Sequence, residues 1–334
     1  MKTARELSAV CIQHPDCRFI FRAGIWKPRT SPKSFQGAGK EALKWLQEVR
    51  DTFGMEVATE VATPEHVEAA LNAGIDYIWI GARSSATPIV VQTLADSICD
   101  LRLKISDFRL KGIFIKNPVN ADAELWLGNI ERLGNTGVPV TAIHRGCNHQ
   151  PCWAIAHKVR IARPDIPMLL DPSHMSGDAS KVPALMAKIE ELGLNGAMVE
   201  VHCSPEQALS DNNQQITPTL LRDTLDPIPS RFRVVSVFST TNRQQEDVDL
   251  NWLRAEIDEI DEALWNTISA RMEVSKRIGT WKKAHGVAPL QPERYNEIRE
   301  KLKAKSEELN GMDEAFMLRM WELIHEQSLK QQGI

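Results

Sequence analysis

Seven times between residues 19 and 202 a short, nearly continuous apolar run ends in a polar residue and gives way to an amphipathic stretch. The runs cover 19–25, 55–61, 77–82, 112–115, 140–143, 167–170 and 196–201; the stretches between them include 40–53, 64–73, 153–161 and 181–192. Strands that are apolar on both faces belong to parallel sheet covered by helices, because a strand with one wet face would alternate. Seven such units favour a (β/α) barrel over an open doubly wound sheet. No Gly-rich dinucleotide fingerprint or phosphate loop follows any of the runs, which removes the main support for a nucleotide-binding sheet.

The residues just after these runs carry the chemistry. They are Arg22 and Lys27-Pro28-Arg29-Thr30, then Glu60, Arg83, Lys116-Asn117, His144-Arg145, Asp171-Pro172-Ser173-His174, and Glu200 with His202. In a barrel these positions converge on the C-terminal mouth. Arg22, Lys27, Arg29, Arg83, Lys116 and Arg145 would ring one opening with cations suited to phosphate and carboxylate groups, the alternative being separately solvated charges. Across the chain 40 Lys and Arg face 44 Asp and Glu, a net charge of −4, so a broad nucleic-acid surface is not expected. His174, Glu200 and Asp211 form a second group, a donor set for a first-row divalent cation. Read alone, the trio is equally consistent with a core histidine and a helix-capping aspartate.

KPRTSPKSFQG (27–37), GAR (81–83), DPSH (171–174) and VEVHCSPEQALSD (199–211) resemble 3-deoxy-D-arabino-heptulosonate 7-phosphate (DAHP) synthase in its short, barrel-only form. The resemblance covers residues 1–225 and implies a (β/α)8 TIM barrel that condenses phosphoenolpyruvate with erythrose 4-phosphate. By motif it implies that Arg22, Lys27, Glu60, Arg83, Lys116 and Arg145 hold phosphoenolpyruvate, and that Pro28, Arg29 and Thr30 meet erythrose 4-phosphate. His174, Glu200 and Asp211 would bind the metal, Mn2+ first, with Zn2+, Fe2+ or Co2+ as alternatives. Lys116 and His174 are the expected catalytic groups. The family's fourth metal ligand, a cysteine in a Gly-Pro-Cys-Ser stretch ending the first barrel strand, has no counterpart here. Residues 1–10 resemble the helix that follows that strand, so the expectation is a first strand upstream of this sequence; the alternative is an incomplete synthase site. Cys147 and Cys203 lie nearer the mouth than Cys11 and Cys17, but neither matches the motif.

Residues 226–249 break the pattern and read as a linker, with an apolar segment at 232–238. Three helices follow, at about 250–284, 292–309 and 313–331, giving a barrel at 1–230, a linker at 231–249 and a helical domain at 250–334. Leu253, Ile257, Ile260, Leu264 and Ile268 form one stripe, and at 100° per residue Arg271 and Lys282 fall on or near it. Two cations there need an anion. Separated by 11 residues, roughly 16 Å along the axis, they can grip a small dianion, or they pair with Glu273 or Glu326. Residues 250–332 resemble the all-helical chorismate mutase, with Arg254, Arg271, Lys282, Arg294, Ser328 and Gln332 at the matching positions. Tyr295 stands where that family commonly has a glutamate, and Gln291 where it commonly has an acidic residue. The resemblance implies rearrangement of chorismate to prephenate and an interlocked homodimer in which Arg254 serves the partner's site. Arg271, Lys282 and Gln332 would be catalytic; Arg254, Arg294 and Ser328 would bind substrate. The expected whole is a bifunctional enzyme of aromatic amino-acid biosynthesis. Two alternatives are a helical domain that senses prephenate or chorismate, and a mutase attached to an inactive barrel. With no signal peptide, no membrane span and six scattered cysteines, a cytoplasmic protein is expected.

Overall fold

The computed structural model describes residues 1–29, 31, 33–106, 108–226, 242–288, 290–309 and 312–332. Thr30, the linker residues 231–241 and the apolar segment at 232–238 lie outside the described residues. The strands are β1 (Ile20–Ala23), β2 (Glu56–Val61), β3 (Tyr77–Ile80), β4 (Gly112–Lys116), β5 (Val140–His144), β6 (Met168–Leu170) and β7 (Gly196–Ala197). They form one sheet in the order β1 to β7, every neighbouring pair parallel, with β1 and β7 at its edges. Helices α1 (Lys2–Gln13), α2 (Leu43–Phe53), α3 (Pro64–Asn72), α4 (Ala82–Ser85), α5 (Pro88–Lys104), α6 (Ala123–Gly134), α7 (Trp153–Ala162), α8 (Pro172–Ser176), α9 (Val182–Glu191) and α10 (Pro218–Leu225) accompany them. Proline opens α3, α5, α8 and α10, where its missing N–H removes no helical bond. Thr63, Asp122, Asp171 and Thr217 cap α3, α6, α8 and α10 through side-chain oxygens.

The sheet curls so that alternate residues point to opposite sides. Ala58, Tyr77, Trp79, Phe114, Ile143 and Met198, with Ile20 and Leu169, make an inner core. Val57, Ile78, Ile80, Ile113, Ile115, Ala142 and Leu170 belong to the larger layer between sheet and helices. Because the period is two, an inner apolar residue is followed two positions later by another inward residue, and at the strand ends that residue is polar. A cavity of about 430 Å3 bordered by Ile20, Phe21, Met198 and Val199 joins the two edges.

The remaining helices are α11 (Asn242–His285), α12 (Pro292–Glu308) and α13 (Glu314–Gln331). Helix α11 starts eight residues before the expected 250; its first residues are helix formers without apolar periodicity, so a hydrophobic pattern cannot mark them. The chain divides into two compact units, Met1–Glu256 and Ile257–Ile334, the boundary falling inside α11. In the first unit Trp252 is fully buried, donates from Nε1 to the Leu192 carbonyl at 2.9 Å and stacks on His157. His157 Nδ1 in turn meets Glu256 at 2.5 Å. In the second unit Ile257, Ile260 and Leu264, expected on a core face, are exposed in the single chain, Ile260 to 65%. Among the described residues no helix is long and apolar enough to cross a membrane.

Candidate functional site

The two-residue period carries five polar side chains to the inner mouth of the sheet: Arg22 after Ile20, Glu60 after Ala58, Lys116 after Phe114, Asp171 after Leu169, and Glu200 after Met198. Arg145, just beyond β5, is half-buried and its guanidinium donates to the Gly146 carbonyl at 3.4 Å. The same parity sends His144 outward, between Trp126 and Trp153, where its Nε2 meets the Pro151 carbonyl at 2.6 Å. Gly81 takes the inward position after Trp79, and that vacancy is occupied by Glu60: a Cβ on Gly81 would lie 2.1 Å from Glu60 Oε1. Burial pushes the Glu60 carboxyl up, and the charges of Lys116, Arg22, Lys27 and Arg83 oppose that shift.

One continuous polar chain crosses the mouth. Lys116, only 5% exposed, donates from Nζ to Asp171 Oδ2 at 2.6 Å. Asp171 caps α8 by accepting from the His174 amide at 3.0 Å and also meets His174 Nδ1. The His174 Nε2 then lies 3.9 Å from Glu200 Oε1. Glu200 accepts from Arg22 at 2.9 Å and from Gln214 at 2.7 Å, and Arg22 covers the Trp79 ring. Burial opposes ionisation of both carboxylates. The charges of His174 and Lys116 nevertheless hold Asp171 well below its ordinary range, and His174, Arg22 and Lys27 bring Glu200 down to about 2. Asn117 fixes the neighbouring turn by accepting from the Arg145 amide at 2.7 Å.

Lys27, Pro28 and Arg29 leave β1 on the loop to α2. Lys27 donates to Ser210 at 2.7 Å and Asp211 at 2.9 Å, Arg29 grips Asp211 with two nitrogens, and Arg83 donates to the Pro28 carbonyl at 3.2 Å. Against burial, Arg29 and Lys27 hold the Asp211 carboxyl far below its ordinary range. Asp171 on Nδ1 leaves His174 Nε2 facing Glu200, the carboxylate–histidine arrangement common behind metal ligands. This pair fits a first-row divalent cation. Asp211 is not gathered with it: among the described residues no three His, Cys, Asp or Glu side chains lie together in a metal-binding group. The sequence places Asn117 and Asp171 among the strand-end residues and Gly81 in a motif but assigns none of them a role, and it does not single out Gln214. For Asp171 and Gly81 the two-residue parity was the available signal; Gln214 is set by a distant loop.

In the second unit Arg271 bonds Ser328 Oγ, and Ser328 also donates to the Ile324 carbonyl at 2.8 Å. Burial alone lowers the Arg271 pKa, and no carboxylate forms an ion pair with it among the described residues. Lys282 is half-buried on the same helix. Gly279 lets Gln332 approach, since a Cβ there would lie 2.8 Å from Gln332 Cα. The Gln332 Oε1 and the His325 Nε2 are buried without hydrogen-bond partners among the described residues. Arg294 is exposed on α12 and paired with Glu297. Arg254, in the first unit, is exposed beside Asn251.

A parallel β/α sheet with lysine, arginine, histidine and carboxylates gathered at the C-terminal ends of its strands defines a barrel-like α/β protein. Residues 1–227 match the DAHP synthetase I family, and the chain belongs to it. Residues 253–333 match chorismate mutase type II. The phospho-2-dehydro-3-deoxyheptonate aldolase of Thermotoga maritima is 30% identical over 232 residues, 67% of this chain and 62% of that protein. A crystal structure of that aldolase (DAHP synthase) aligns with a TM-score of 0.56 at 29% identity, covering 67% of this chain and 62% of the other. The 2-dehydro-3-deoxyphosphooctonate aldolase of Parasynechococcus marenigrum is 27% identical over 237 residues, 65% of this chain and 77% of that protein. The chain thus spans less than two thirds of the Thermotoga protein.

Proposed function

We propose that the chain condenses phosphoenolpyruvate with erythrose 4-phosphate and rearranges chorismate to prephenate. The observation that carries the first activity is the polar chain Lys116–Asp171–His174–Glu200–Arg22, buried at Lys116, Asp171 and Glu200, which draws charged groups from four separate strand ends into one mouth. Lys116, Arg22, Lys27, Arg83 and Arg145 would orient phosphoenolpyruvate with Glu60 beneath them, while Pro28, Arg29 and Thr30 meet the sugar phosphate. Aligning two mutually repelling anions is itself a large part of the catalysis. The vinyl carbon attacks the aldehyde carbon, water adds to the resulting cationic carbon, and phosphate leaves. A divalent cation, Mn2+ first, held by His174 and Glu200 and by Asp211 once released from Lys27 and Arg29, would supply Lewis acidity at the aldehyde oxygen.

The second activity needs no nucleophile or metal. Arg271, partly buried and without a carboxylate partner among the described residues, suits a substrate carboxylate, with Lys282 and Gln332 at the ether oxygen and Ser328 and Arg294 as binding groups. The exposed stripe Ile257–Ile260–Leu264 supports a homodimer through the helical unit, with Arg254 donated to the partner. The absence of a membrane-spanning helix among the described residues is compatible with action in the cytoplasm. Paired variants test the assignment. Lys116→Ala should abolish condensation and spare chorismate turnover, and Arg271→Ala should lower mutase turnover by orders of magnitude and spare condensation. Loss of both activities in either folded variant would refute it.

A further inference from the structure

On α13, Trp321, His325 and Ser328 recur on one face at spacings of four and three. Ser328 bonds Arg271 of α11, so this face borders the pocket assigned to chorismate. The His325 ring stacks on Trp321, with centroids 5.0 Å apart and planes within 17°, and meets the Tyr295 ring of α12 edge-on at 5.4 Å. Two aromatic neighbours on two helices therefore fix the imidazole. Its Nε2 is buried yet has no partner among the described residues. A buried polar nitrogen held rigidly without a partner costs stability, and a ligand that satisfies it recovers that cost.

We propose that His325 is a substrate-binding residue of the helical unit: its Nε2 donates to the dicarboxylate held by Arg271 and Lys282, and the imidazole takes up a proton as that dianion binds. The proposal rests on the mutase reading above. The rings of Tyr295 from α12 and Trp321 pack against the imidazole, and the charges that act on it are Arg271 and Lys282 from α11 and Glu326 on its own helix. Burial, then the charges of Arg271 and Lys282, hold the free imidazole below its ordinary range, with Glu326 opposing. A dianion arriving between the two cations cancels their field and favours the protonated ring. Affinity therefore rises as pH falls toward the free imidazole's pKa, and proton uptake accompanies binding.

Isothermal titration calorimetry of prephenate into the full chain, in two buffers of different ionisation enthalpy, measures that uptake. The wild type should take up a fraction of a proton on binding between pH 6 and 7. His325→Gln keeps a donor without a titrating group, so it should retain binding and lose the uptake. His325→Leu should bind about tenfold more weakly. Equal uptake in wild type and His325→Gln, or unchanged affinity in His325→Leu, overturns the proposal while wild-type chorismate turnover leaves the mutase reading standing. A wild type that neither binds prephenate nor converts chorismate overturns the reading beneath it.

Discussion

Gly81 offers a clean perturbation of the barrel mouth. Its backbone is extended (φ −73°, ψ 163°), a conformation alanine adopts without strain, so Gly81→Ala carries no backbone penalty. The added methyl would lie 2.1 Å from Glu60 Oε1 and 3.1 Å from its Cδ. Ordinary contact begins at 3.4 Å, so the carboxylate must retreat by more than 1 Å. It sits buried within the fields of Lys116, Arg22, Lys27 and Arg83, the cations assigned to phosphoenolpyruvate. A displacement of this size in a positioning group costs roughly 10²-fold in rate, or about 2.7 kcal/mol of transition-state stabilisation. Gly81→Ala should therefore lower kcat/KM for condensation about 100-fold. Phosphate released from phosphoenolpyruvate in the presence of erythrose 4-phosphate reports the rate, and circular dichroism and chorismate turnover should be unchanged. Wild-type condensation kinetics in Gly81→Ala would refute the claim that Glu60 is fixed at this place for substrate.

Three further predictions follow from buried contacts. Asp171→Asn leaves Lys116 buried without its ionised partner; urea denaturation should show a loss of about 3–5 kcal/mol, and adding Lys116→Met should recover part of it. Gly279→Ala would put a Cβ 2.8 Å from Gln332 Cα, where backbone must yield, so chorismate turnover should fall at least tenfold with condensation unaffected. His144 is buried and neutral: desolvation, with Arg145 adding to it, lowers its pKa from 6.5 to about 4. Below pH 6.5 the unfolded chain binds this proton and the folded chain does not, so stability should fall progressively from pH 6.5 and level off below 4, by about 3 kcal/mol in all. His144→Gln should flatten that segment of the stability profile; an unchanged profile would show that the imidazole does not titrate there.

The strands were legible because most are nearly continuous apolar runs, and the charged residues at their ends because cations recur in register with the ends of those runs. Which strand-end residue faces the mouth depends on pleat parity: Lys116, two after the inner Phe114, points in, and His144, one after the inner Ile143, points out. That parity follows from knowing which upstream residue is inside, so Asp171 and Gly81 could have been inferred from Leu169 and Trp79. The engagement of Asp211 by Lys27 and Arg29 could not, because it joins loops more than 180 residues apart in sequence. Trp252 shows the limit of periodicity on α11. The apolar stripe Leu253–Ile257–Ile260 marked a surface that is exposed in the single chain, while Trp252 and Ala255, off that stripe, are buried. An amphipathic pattern identifies a face that needs covering and says nothing of what covers it.

A barrel mouth that works as a condensation site makes a direct demand on the full chain. Phosphate release from phosphoenolpyruvate by the full chain, with Mn2+ added, should depend on erythrose 4-phosphate and yield one DAHP per phosphate. No such release from a folded chain that still converts chorismate would contradict it.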